Sequence, residues 1–253
     1  MKNKKMTKIL AIMVVIMCVA MCTNSTNIQG QSNDEIGISC QNINYVINKK
    51  VYTQDYGYFN CNIEYPEING INPKFQSQWD ETIKYDIMES AKSFEEYVIQ
   101  MRKNMPEENI MGSLSIIFEV TTQDSDKISI IVKSLGCLSD TRRGVNIRSY
   151  NIDLKTGKSI KLSEVIDTQE YAAKIVVDKN YKIITDDEFN EQQDEQLISE
   201  YKNLISDCYS DNIKYIKEYL DDPQTDFYYK NNKLVICIYT GYTIGHYFRI
   251  IVG

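Results

Sequence analysis

The chain has 253 residues, 28 Lys and Arg against 35 Asp and Glu, and a net charge of −7 with its single histidine neutral. That acidity disfavours nucleic acid and anionic lipid headgroups as partners and suits a cationic one, besides keeping an exported chain in solution. One histidine cannot supply the several imidazoles of a wall-degrading zinc site, and no CxxC, GxSxG, GxGxxG or GxxxxGK[ST] motif occurs, so no metal site and no cofactor is expected.

Lys2, Lys4, Lys5 and Lys8 precede an uncharged apolar run from Ile9 to Cys22, and the polar Thr23-Asn24-Ser25-Thr26-Asn27 follows. A basic start, a short apolar middle and a small-residue exit make residues 1–25 a signal peptide. The apolar run is 14 residues long, against about 20 for a membrane-spanning helix. Cleavage after Ser25 fits the small-residue rule. Val19-Ala20-Met21-Cys22 also has the outline of a lipoprotein box, in which Cys22 takes a lipid, but Met21 stands where a small residue is usual. The expected location is extracytoplasmic, secreted or membrane-attached, with membrane contact only through the N-terminal segment. No cytoplasmic domain is expected ahead of Ile9. Losing residues 1–25 removes those four lysines and no acid, taking the net charge from −7 to −11.

Five of the seven cysteines lie beyond the signal: Cys40, Cys61, Cys137, Cys208 and Cys237. Disulfides become possible outside the membrane. Cys40 and Cys61 fall on neighbouring extended segments and could pair, and an odd count leaves a thiol over. Each also suits a buried small apolar position.

Residues 26–49 read as a polar spacer and a first strand, 50–154 as an N-terminal α/β domain, and 155–253 as a C-terminal α+β domain. Segments 37–47 and 51–65 alternate apolar and polar residues as strands do, and Pro66 ends the run. Asn72-Pro73 pairs a capping side chain with a proline at the first helical position. Phe75, Trp79, Ile83, Ile87, Ala91, Phe94 and Val98 then form one buried stripe of a helix running to about Lys103. Strands are predicted over 113–122 and 127–135 around a polar turn, and over 145–154 after a loop at 136–144. Lys155-Thr156-Gly157-Lys158 is a tight turn. A helix is predicted through Ser163 as cap, with more helix over 169–182 and 194–220, stopped by Asp221-Asp222-Pro223. Strands at 226–230, 233–240 and 247–252 close the chain, with turns at Asn231-Asn232 and Gly241. The order is that of an α+β protein.

Little in this pattern carries chemistry. His246 is a turn histidine or, set against Cys137, half of a thiol dyad that no family signature supports. The acidic clusters at 186–188 and 221–222 lack calcium-loop spacing and read as solvated faces. A glycosidase needs two placed carboxylates, which 35 acids leave open. Tyrosine is abundant, with 19, and Tyr228, Tyr229, Tyr239, Tyr242 and Tyr247 crowd the end. Such rings suit interfaces and sugar surfaces as well as strands. Candidate contacts are Arg142 and Arg143 in the 136–144 loop, and Tyr239, Tyr242, His246 and Tyr247 around the last turn.

Three blocks carry a family resemblance: Tyr65-Pro66-Glu67-Ile68-Asn69-Gly70; Ser149 to Leu162, with Asp153-Leu154-Lys155-Thr156-Gly157-Lys158 at its centre; and Asp226-Phe227-Tyr228-Tyr229, Leu234-Val235-Ile236 and Tyr242-Thr243-Ile244-Gly245-His246. Over about residues 50–253 the chain resembles the ectodomain of lysozyme-sensing anti-sigma factors of the RsiV type. It also resembles the non-catalytic N-terminal region of PdaC-type peptidoglycan deacetylases. The resemblance implies a small α/β part with one long helix, then an α+β part distantly like a subdomain of the Hsp70 ATPase. It implies protein recognition and no catalysis. The family's Gly-Gly-Ala-His-Gly turn is replaced here by Leu135 to Gly144, and neither a deacetylase nor a sigma-binding domain is expected. The function expected is a non-catalytic envelope module that binds a lysozyme-like protein or wall glycan (peptidoglycan). The alternatives are a carboxylate-dependent glycan hydrolase and a structural assembly protein.

Overall fold

The computed structural model describes residues 45–139, 142–184, 213–241 and 246–253, with backbone placement alone for Arg142, Arg143, Thr240, His246, Tyr247 and Phe248. The expected signal peptide and spacer, Cys40, the acidic run at 186–188, residues 194–212 of the predicted 194–220 helix with Cys208, and Tyr242 lie outside the described residues. What is described belongs to one unit, Ser32–Gly253. It is mixed α+β, with two sheets and three helices, one of them 32 residues long.

The first sheet has the order β1-β2-β3-β4-β5. Strands β1 (Val46–Asp55) and β2 (Phe59–Asn69) form an antiparallel hairpin, so the strands predicted over 37–47 and 51–65 shift in register. The turn falls at Tyr56-Gly57-Tyr58. Gly57 sits at φ +80 and donates its N–H to Asp55 Oδ1 at 2.7 Å. Contrary to expectation, Pro66 does not end β2, which stays paired with β1 out to Asn69. The parallel pairing of β2 with β3 stops at Ile63, so the far side of β2 is open beyond it. Ile68 N–H points to that side, to Asp80 Oδ1 at 2.8 Å. Pro66 shares that direction, so its missing donor costs no ladder bond.

Helix α1 (Pro73–Asn104) forms the crossover that a parallel pair requires. Asn72 caps it by accepting from Lys74 N–H at 3.0 Å. Its stripe of Trp79, Ile83, Ile87, Ala91 and Val98 is buried against Ile63, Ile116, Ile130, Tyr150 and Ile152 of the sheet. Strands β3 (Gly112–Gln123), β4 (Lys127–Leu138) and β5 (Arg142–Asp153) complete the sheet. The loop predicted over 136–144 is largely strand: Gly136 pairs with Gly144, Cys137 with Arg143, and Leu138 with Arg142. Gly136 is glycine because α1 lies over it. A Cβ there would stand 2.7 Å from the Phe94 ring.

After the 155–158 turn comes a short 3₁₀ turn, Leu162–Glu164, and not the predicted helix. Helix α2 (Thr168–Val176) starts later because Asp167 supplies the better cap, accepting from Gln169 and Glu170 N–H. It is shorter than predicted, since Tyr181–Ile184 forms strand β6 against β9. Helix α3 (Ile213–Asp221) ends just before Asp222-Pro223, at the predicted stop. Strands β7 (Phe227–Lys230), β8 (Lys233–Gly241) and β9 (His246–Val252) give the second sheet the order β6-β9-β8-β7. Asn231 and Asn232, at φ 51 and 59, make the two-residue hairpin turn between β7 and β8.

The sheets meet along a polar seam. Strand β7 is an edge, and side chains of the first sheet cap its outward backbone groups. Phe227 N–H donates to Ser149 Oγ at 2.9 Å, and Asn151 Nδ2 donates to Phe227 C=O at 2.6 Å. Tyr229 N–H donates to Ser129 Oγ at 3.3 Å, and Thr122 Oγ1 donates to Tyr229 C=O at 2.9 Å. Beside this ladder, Ile131, Ile147, Tyr228, Val235 and Cys237 form an apolar cluster.

Candidate functional site

A cleft of about 180 Å³ opens where α1, β4, β5 and the start of β7 converge. Alternation along β5 turns Asn146, Arg148 and Tyr150 toward α1, which contributes Asp86 and Ser90 from the flank of its buried stripe. Strand β4 adds Val132 and Ser134, and the β7 entry adds Asp226. Ile87, Val132, Tyr150 and Asp226 are buried and form the floor; Ile147 also lines the cleft, although its side chain joins Ile131 in the cluster against the second sheet. Ser90, Asn146 and Arg148 are exposed and form the rim.

Each carboxyl group has one bonded oxygen. Tyr150 donates its hydroxyl to Asp86 Oδ2 at 3.1 Å, and burial pushes the Tyr150 phenol well above its ordinary range, with the Asp86 charge adding to the rise. Asp226 Oδ1 accepts from Ser149 N–H at 2.5 Å and from Ser149 Oγ at 3.0 Å. Burial raises Asp226 to about 6, against the lowering effect of the Ser149 bonds and the Arg148 charge. Asp86 Oδ1 and Asp226 Oδ2 have no hydrogen-bond partner among the described residues.

A second feature lies at the end of the first sheet where the β1–β2 turn sits. Tyr52 and Tyr56 are 39 % and 48 % exposed. Tyr56 stacks on Tyr58 with centroids 6.0 Å apart. The Arg102 guanidinium lies 5.5 Å from the Tyr58 ring, and Tyr58 donates its hydroxyl to Glu95 Oε1 at 3.1 Å. Strand pairing places Phe59, Gly112, Leu138 and Arg142 in one row across β2 to β5.

The residues expected to make contacts therefore separate. Arg142 and Arg143 begin β5 at the tyrosine end of the sheet, on strand and not on a loop. Tyr239 is exposed on β8 of the other sheet, opposite Tyr247, and His246 begins β9 opposite Gly241. Tyr239 is not among the described residues that line the cleft. Sequence reasoning missed Asp86, Arg148 and the Tyr52/Tyr56/Tyr58 cluster as site residues. Tyr56-Gly57-Tyr58 carries a turn signal, and Asp86 flanks the α1 stripe. Ser149-Tyr150-Asn151 and Asp226-Phe227 stand out in the sequence only as pieces of familiar blocks, and these two blocks bond to each other. Among the described residues no group of three or more His, Cys, Asp or Glu is arranged to hold a metal ion, and no helix is long and apolar enough to cross a membrane.

This two-sheet architecture is similar to solved proteins of the DUF3298 family, at low identity. A DUF3298 family protein from Pseudomonas aeruginosa is 12% identical over 82% of this chain and 89% of its own, with a TM-score of 0.40. A member from Bacteroides fragilis is 12% identical over 83% of this chain and 89% of its own, with a TM-score of 0.41. No protein-family model matches the sequence, and no curated protein matches it.

Proposed function

We propose that the chain is an exported, non-catalytic binding module of the cell envelope that recognises a protein of lysozyme-like, cationic character or a wall glycan. The exposed tyrosine cluster carries this conclusion. Tyr56 and Tyr58 are held by mutual stacking, by Arg102 and by the Tyr58–Glu95 bond, so their rings are ordered before a partner arrives. Rigid amphipathic rings lose little conformational entropy on contact. The net charge of −7 favours a cationic protein and speeds its encounter. The resemblance to lysozyme-sensing ectodomains points the same way.

Titration with a cationic lysozyme and with solubilised peptidoglycan tests this. Saturable binding to either, weakened about tenfold or more by Tyr56→Ala with Tyr58→Ala, supports the module. A blank against both contradicts it. The cleft favours a second class of function, a carboxylate-dependent glycan hydrolase, because Asp226 is a buried acid raised to about 6. Release of reducing sugar ends, lost in Asp226→Asn, would establish that alternative.

A further inference from the structure

We infer that the cleft between α1 and the β4–β5 edge binds a single saccharide unit. This deepens the glycan side of the proposed function but uses a surface separate from the tyrosines. Three observations carry it. First, Asp86 and Asp226 line one small cleft, each has a carboxyl oxygen with no hydrogen-bond partner among the described residues, and Asp226 is only 8% exposed. A buried acceptor without a donor is costly, so the site is built for a donor-rich occupant. Second, the rim supplies the complementary set: Ser90 and Ser134 hydroxyls, the Asn146 amide and the Arg148 guanidinium. A group offering donors and acceptors around a compact ring matches this mixture, as sugar hydroxyls do. Third, Ile87 and Val132 give the floor apolar surface for a ring's C–H face. A phosphate would meet two carboxyl groups against one arginine, and an alkyl chain would strand the polar rim.

The test uses the secreted chain and saturation-transfer NMR with the methyl glycosides of glucose, glucosamine and N-acetylglucosamine, and with lysine methyl ester as a simple cation. The three sugars separate a plain polyol from an amino sugar and its acetylated form. At least one glycoside is expected to bind. Asp86→Asn, which still accepts from Tyr150, and Asn146→Ala, on the exposed rim, are each expected to weaken it by about fivefold or more with an unchanged thermal midpoint. Tyr215→Ala, exposed on α3 and on neither surface, is expected to leave sugar binding intact; the glycosides report on the cleft and the lysozyme titration on the tyrosine end, so failure of the one surface and failure of the other are told apart. Binding of the lysine ester alone, binding of no probe, or sugar binding indifferent to both cleft variants would overturn the inference.

Discussion

Asp226 shows how one side chain can tie fold to pH. It is buried, and its folded pKa of about 6 stands above the ordinary 3.8. The folded state therefore holds a proton that the unfolded chain releases between those values. Stability is fully present below about pH 4 and declines as pH rises through 6, by on the order of 3 kcal/mol. Urea unfolding measured from pH 4 to 7 should show that slope, and Asp226→Asn should flatten it; an unchanged slope in the variant would assign the titration elsewhere. Gly157 makes a second prediction. It sits at φ +69, its C=O accepts from Trp79 Nε1 at 2.9 Å, and a Cβ there would meet the Phe75 ring at 2.2 Å. Gly157→Ala should cost about 1–3 kcal/mol, read as a lowered urea midpoint. The turn is legible in the sequence because Gly in a Lys-Thr-Gly-Lys run has one common use. Its packing under the N-terminal end of α1 is not, because that contact spans 78 residues of chain.

Among elements, α1 is the most legible. Its apolar stripe repeats over many turns, and only a helix gathers residues spaced by three and four onto one face for that long. The β4–β5 hairpin is harder to read because Gly136 and Gly144 look like loop residues, whereas Gly136 is glycine for the close approach of Phe94. Strand β6 merges into a predicted helix because four residues show too little alternation to decide. The seam at β7 is out of reach, since sequence does not say which polar residues of one sheet will face the edge of another. There Asn151 accepts from Ser129 Oγ at 2.6 Å while donating to Phe227 C=O. Asn151→Ala should strand both groups and cost about 1–3 kcal/mol in urea unfolding. A loss under about 0.5 kcal/mol, the level of an ordinary surface change, would show that the seam adds little to docking the sheets.

At the scale of the molecule, two sheets locked by this seam present two distinct surfaces: a tyrosine end on the first sheet, and a small polar cleft on its α1 face. The tyrosines project from a short hairpin turn braced by α1, and the cleft is walled by four elements, so both are set by the fold before any ligand arrives. Calorimetric titration of the chain with a cationic lysozyme and with solubilised peptidoglycan, at low and at physiological salt, probes the proposed binding function directly. Saturable association with at least one of them is predicted, reduced in the Tyr56→Ala, Tyr58→Ala variant and, for the cationic protein, weakened by added salt. No heat of binding with either, or peptidoglycan cleaved during the titration, would contradict it.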